Sequence, residues 1–306
     1  MTAFHGATDQ ADTLRQLAGR AKGQPVPQNR FKMRDGLRVI SVTSGKGGVG
    51  KSSVVVNLGA SLAALGKRVL IVDANMGMGD ICLRLGKEPP YRLNQVLSGE
   101  RTLEENVVDA GNGVSILPAG MGVQQYSSLT PSERLSLLQG MKGLEDQFDY
   151  FLIDTGAGVA ANVTSFAAVA REIMLVVTPE PSSITDAYAL IKTLSGRDAT
   201  LEFRILVNMC RDQEEGKALF AKLSAITGRF LAVSMEYSGC ILHDEMLVES
   251  VRRRGALCRL YPDTKASLGF RALAQKITAA PPVGCAAIAV EPVAGSKQWR
   301  NHELSS

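Results

Sequence analysis

Residues 44–53 read SGKGGVGKSS and carry the most specific chemistry in the 306-residue chain. Within them, positions 45–52 fit G-x-x-x-x-G-K-[ST], the spacing of a loop that holds phosphate. Glycine lets the backbone turn tightly enough for successive N–H groups to converge on one anion, and the positive end of a following helix favours that anion. Gly45, Gly47, Gly48, Val49 and Gly50 are expected to form this cradle. Lys51 is expected to bridge the β- and γ-phosphates of ATP, the Ser52 hydroxyl to ligate Mg²⁺, and Ser53 to complete the nucleotide contacts. Lys46 is a second lysine, directly after the first glycine, which a general phosphate loop does not require.

Such a loop works only between a strand that ends at its first residue and a helix that begins at its lysine. Both are legible here. Apolar runs suited to buried parallel strands fall at 39–43, 69–73, 114–117, 150–154, 173–178, 203–208 and 239–242. Helix-length segments are predicted at 51–65, 131–147, 183–194, 214–226 and 264–277. This alternation predicts an α/β fold, a doubly wound and mostly parallel sheet flanked by helices, with ligands beyond the carboxyl ends of the strands. Two strands end in aspartate, VLIVD at Asp73 and YFLID at Asp154. Mg²⁺ prefers oxygen ligands, so these carboxylates join Ser52 as its expected holders.

The rest of the chain sets limits. Hydrophobic residues make up 45% and charged residues 21%, enough for one sizeable core in a domain with tails. A net charge of +4, thinly spread, gives no case for nucleic acid, and the run Arg252, Arg253, Arg254 reads as a solvated helix face. Five cysteines, Cys82, Cys210, Cys240, Cys258 and Cys285, never form C-x-x-C, which argues against a disulfide framework, a zinc site or an iron–sulfur site. With no signal region and no apolar span, the chain is expected in the cytoplasm. Domain boundaries are expected as a short helix within 1–18, a basic flexible linker at 19–37, the ATP-binding domain at 38–279 and a loose tail at 280–306. In the first of these, Asp9 can cap a helix that puts Gln10, Leu14 and Leu17 on one face.

Lys46 within its loop resembles the deviant Walker A family of MinD and ParA type. In that family the matching lysine reaches the partner subunit's nucleotide, which implies a homodimer when ATP is bound. From 179 onward the resemblance narrows to the flagellar-number regulators FlhG and FleN, through PEPSSITDAYALIKTL, FRILVNM, GKALFAKLSAITGRFL and YPDTKASLGFRALAQKI. The N-terminal DQADTLR is similar to that family's DQA-x-x-LR element, which stimulates the partner GTPase FlhF. The resemblance implies that Gln10 and Arg15, with Leu14 beside them, contact this GTPase, and that Asn208 contacts adenine. It also implies a flagellar transcriptional activator, FleQ-like, or basal-body components as partners.

Two departures qualify this. The family pattern D-x-D-x-G stands here as Asp73-Ala74-Asn75-Met76-Gly77, so Asn75 replaces the aspartate that orients or activates the attacking water. An amide can hold a water but cannot take its proton, and loss of a positioned base costs about 10² to 10⁴ in rate. A slow ATPase and an ATP-held switch both remain open, and we expect very weak hydrolysis. In GCILHD, Leu242 stands where the family tends to have proline, which bears on the shape of the base pocket. Alternative functions are a ParA-like partition ATPase, which would bind DNA nonspecifically, and a MinD-like division-site ATPase, which would dock on membrane. The tail offers only Lys297, Trp299 and Arg300 for docking, so membrane contact, at a pole or elsewhere on the inner membrane, stays undecided.

Overall fold

The structure, a computed structural model, describes residues 33–75, 79–91, 93–118, 131–159, 170 and 172–280, with only the backbone at 93–94, 131–135 and 138. The expected N-terminal helix with Gln10, Leu14 and Arg15, the linker up to residue 32, and the tail after Ala280 lie outside the described residues. The larger compact unit begins at Arg34, four residues before the boundary expected at 38. Arg34 is held there by Glu145, through its backbone N–H at 2.7 Å, and by the Phe148 carbonyl at 3.1 Å.

Eight strands form one sheet: β1 (Arg38–Ser44), β2 (Val69–Ala74), β3 (Val108–Gly111), β4 (Val114–Leu117), β5 (Tyr150–Ala157), β6 (Glu172–Val177), β7 (Glu202–Cys210) and β8 (Ser234–Leu242). Their order is β3-β4-β2-β5-β1-β6-β7-β8, all parallel except β3. The apolar runs form strands because both sheet faces are covered, so alternate residues of one strand enter different cores. In β6, Met174 and Val176 join one cluster, while Ile173, Leu175 and Val177 join the other. The first core is closed by α1 (Lys51–Ala64), α8 (Leu257–Leu260) and α9 (Lys265–Ala279), and the second by α5 (Pro181–Ser195) and α6 (Gln213–Phe230). Between them in sequence lie α2 (Ile81–Arg84), α3 (Leu93–Leu97), α4 (Pro131–Gly143) and α7 (Met246–Arg252).

The expected architecture is present, with local differences that have physical causes. The helix predicted over 131–147 stops at Gly143. Edge strand β3 has no apolar run to announce it, being half-exposed VDAG joined to β4 through the left-handed residues Gly111, Asn112 and Gly113. Strand β8 begins five residues earlier than the apolar pattern predicts, because its first half is polar edge strand and only the later part is buried. Its pairing with β7 shifts register next to Gly239, whose φ of 127° favours glycine.

Opposite the phosphate loop, the sheet is tied by buried charge. Glu172 of β6 receives Arg38 of β1 at 2.9 and 2.5 Å and pairs with Arg204 of β7 at 3.0 Å. Arg204 also pairs with Glu236 of β8 at 2.8 Å, and Glu236 with Lys276 of α9 at 3.0 Å. Arg38 further donates to the Ile277 and Ala280 carbonyls, which fastens the end of α9 to the sheet. Glu172, Arg38 and Arg204 are all buried, so removal of the central carboxylate strands two guanidinium groups without water. Glu172→Gln is expected to lower unfolding free energy by about 3–5 kcal/mol. Urea denaturation measures it, and a change below about 1 kcal/mol would show that the network carries little of the fold.

Candidate nucleotide site

The chain leaves β1 at Ser44 and enters α1 at Lys51, so the glycine loop spans a strand-to-helix turn as expected. Gly48 and Gly50 take φ of 80° and 89°, a left-handed backbone that side chains disfavour. Gly45 is fixed for another reason, since a Cβ there would lie 2.2 Å from the Asp186 backbone of α5. Lys51 is buried and donates to Ser44 Oγ at 2.9 Å, and Ser44 Oγ in turn donates to the Lys46 carbonyl at 2.6 Å. The lysine ammonium is thereby held over the loop. Burial lowers the Lys51 pKa, against the opposing charge of Asp154.

The two expected metal carboxylates stand side by side. Asp73 of β2 and Asp154 of β5 are register partners in adjacent parallel strands, and both are buried. Burial raises Asp73 to about 7, with the Asp154 charge as second cause, while backbone N–H groups of Ile81 and Asn75 pull it down. Burial also lifts Asp154 to about 6, opposed by the Ser52 hydroxyl and by Lys51. The Ser52 hydroxyl stands near Asp154 but outside full hydrogen-bond geometry, which leaves both carboxylate oxygens without a well-formed partner. An unpartnered buried carboxylate beside a second one, with a serine hydroxyl nearby, is a hard-oxygen donor set that suits Mg²⁺. No group of three or more His, Cys, Asp or Glu able to hold a metal occurs among the described residues, and Mg²⁺, which keeps several waters, needs none.

Asn75 is half-buried and its backbone N–H donates to Asp73 Oδ1 at 3.2 Å, which keeps it beside this pair. Asn208, on the other side of β1 near the end of β7, is buried and donates from Nδ2 to the Val49 carbonyl at 2.8 Å. It sits against Gly50, where a Cβ would meet Nδ2 at 2.5 Å. Met209 follows with φ of 61°, inside β7 where its pairing with β8 shifts register between Val207 and Cys210. Leu242 ends β8, and the neighbouring His243 N–H returns to the Cys210 carbonyl at 2.7 Å. The structure thus gathers the loop, both aspartates, Asn75 and Asn208 along the carboxyl edge of the sheet.

Several charged residues at this edge escape motif reading. Lys46 pairs with Glu180, at the start of α5, and donates to Ser182 Oγ at 3.2 Å. Asp80 pairs with Arg84 at 2.7 Å, and Arg84 reaches Ser53 Oγ at 3.2 Å. The spacing of Asp80 and Arg84, four residues apart, is a helix-face signal that could have marked them.

Comparison with known proteins agrees with this geometry. A family model described as an AAA domain matches residues 37–205. The antiactivator FleN of Pseudomonas aeruginosa is 42% identical over 80% of this chain and 88% of its own length. The flagellum site-determining protein YlxH of Helicobacter pylori is 31% identical over 78% of this chain and 80% of its own. Among solved structures, the septum site-determining protein MinD complexed with Mg-ADP, from Pyrococcus horikoshii, matches 79% of this chain and 96% of its own with a TM-score of 0.64 and 26% identity. The loop, the paired aspartates, the sheet order and these likenesses agree, and the chain belongs to the MinD/ParA family of P-loop ATPases, in the branch of the flagellar-number regulators FlhG and FleN.

Proposed function

We propose that this protein is an ATP-dependent dimeric switch that regulates flagellar number or placement and flagellar gene expression. The observation that carries the reading is the complete phosphate loop with Lys46 half-exposed at its mouth, in a chain 42% identical to an antiactivator, FleN. Gly45, Gly47, Gly48, Val49, Gly50 and Ser53 cradle the phosphates, Lys51 neutralises them, and Asn208 meets the adenine. Ser52, Asp73 and Asp154 hold Mg²⁺, which when bound offsets phosphate charge. The Mg-ADP carried by the P. horikoshii MinD structure supports this choice of ligands.

Lys46 cannot serve a partner's nucleotide while it holds Glu180, so dimerisation exchanges an intramolecular ion pair for an intermolecular one. That pair is solvent-exposed and worth little, about 0–1 kcal/mol, so ATP can break it readily. Hydrolysis is weak in this reading because Asn75 orients water without taking a proton. Gln10, Leu14 and Arg15 engage an FlhF-like GTPase, and a FleQ-like activator or basal-body components read the ATP-bound dimer. No helix among the described residues is long and apolar enough to cross a membrane.

Three measurements bear on this. Lys46→Ala is expected to bind MgATP within about threefold of the parent yet remain monomeric with it by light scattering, whereas the parent dimerises; a Lys46→Ala dimer would refute the trans role. The full chain is expected to accelerate GTP hydrolysis by its cognate FlhF-like protein and Gln10→Ala to fail, equal acceleration by both being the contrary result. Magnesium needs ionised carboxylates, so MgATP affinity should rise between about pH 5 and 8 with proton release on binding, as calorimetry in two buffers would detect. Stability without metal should run the other way. Both folded pKa values exceed the unfolded one, so the stabilisation is full below about pH 4 and fades as pH climbs through about 7. A pH-independent affinity would remove these carboxylates from the metal site.

A further inference from the structure

Asn75 leaves the attacking water without a carboxylate at the position where the family supplies one, yet a third aspartate stands in the same corner. Asp80 lies between two residues that touch Asp73. On one side Gly79 packs so closely that a Cβ would lie 2.4 Å from Asp73 Oδ2, and on the other the Ile81 N–H donates to Asp73 Oδ2 at 3.3 Å. Asp80 occupies the N-cap position of α2, where an aspartate ordinarily accepts backbone N–H groups, but its side chain makes no capping bond. Instead Oδ2 accepts from Arg84 Nε at 2.7 Å, and the same guanidinium donates through Nη1 to Ser53 Oγ at 3.2 Å. Ser53 is the neighbour of Ser52, so Arg84 braces Asp80 against the phosphate loop. The negative charge of Asp80 is felt at both Asp73 and Asp154, as expected of a carboxylate in the same pocket.

We infer that Asp80, held by Arg84, is the carboxylate that orients the attacking water in place of the aspartate that Asn75 has replaced. The inference rests on the nucleotide reading above. Arg84 takes Oδ2 and leaves Oδ1 for the water. In the step, the water oxygen bonds to the γ-phosphorus as the bond from that phosphorus to the bridging oxygen breaks. The bonding pair leaves on ADP, and the water proton passes to Asp80 Oδ1 and from there to solvent. Asn75 keeps its amide beside the metal carboxylates and shares in placing the water. Phosphoryl transfer depends mainly on positioning and electrostatics, so a carboxylate on a different backbone atom can serve the role with lower efficiency.

The test uses full-length parent, Asp80→Asn, Arg84→Ala and the double variant Asp80→Asn with Asn75→Asp. Phosphate release at saturating MgATP is measured beside MgATP affinity by fluorescence of a labelled analogue. Asp80→Asn is expected to lose about 10²-fold or more in kcat while affinity stays within about threefold. Arg84→Ala is expected to lose about tenfold, with its pH–rate profile moved, because it acts through Asp80. Asn75→Asp should restore turnover in the Asp80→Asn background. Turnover of Asp80→Asn within threefold of the parent would overturn the assignment, as would a parent that binds MgATP without releasing phosphate. Failure of the parent to bind MgATP would instead overturn the nucleotide reading underneath it.

Discussion

Two carboxylates placed in register on adjacent parallel strands, both stripped of water, set the terms for this molecule. Asp73 and Asp154 repel one another, and each loses solvation that its own strand cannot replace. The architecture answers with cations and donors drawn from separate parts of the chain. Lys51 comes from the helix behind the loop, Arg84 from α2, and N–H groups at Asn75 and Ile81 from the segment after β2. In the reading proposed above, a divalent ion is the remaining answer, and it would make a nucleotide's phosphates welcome where they otherwise meet negative charge. Metal, nucleotide and fold are thus one electrostatic problem.

The polar ends of the sheet divide the labour. At the carboxyl edge, charge is left incompletely compensated and therefore available to a ligand. At the other, Glu172 sits between Arg38 and Arg204 and the compensation is closed. A sheet whose far end is locked can tolerate strain at the near end, including the left-handed Met209 and the two left-handed glycines of the loop. Asn57 extends this division into the helical layer. Its amide receives the Cys258 N–H at 3.1 Å and donates to the Ser53 carbonyl at 2.8 Å, so α8 is registered against the first turn of α1.

Most of the fold was legible because seven of the eight strands carry mainly apolar stretches, as a sheet buried on both faces requires. What escaped is what is not buried on both faces: edge strand β3, the polar start of β8, and four- or five-residue helices whose stability is tertiary. The strand-to-helix turn that carries the glycine loop was readable, since the motif's spacing demands a strand before it and a helix after it. Asp73 and Asp154 were readable as strand-ending acids, but their adjacency is a property of the crossover that brings β5 beside β2. The partners of Lys46 could not be found that way. Glu180 lies 134 residues further on, and only the fold brings it near.

The close packing of Gly45 on the Asp186 backbone has its own outcome. With no atom to spare between them, the mouth of the loop and helix α5 meet backbone to backbone. Glu180 and Ser182 begin that same helix, so the contacts of Lys46 and the seat of Gly45 both fall on α5. Phosphate held in the loop would therefore lie one backbone layer from α5. At that contact the chain has no side chain to spare, and only glycine can stand there.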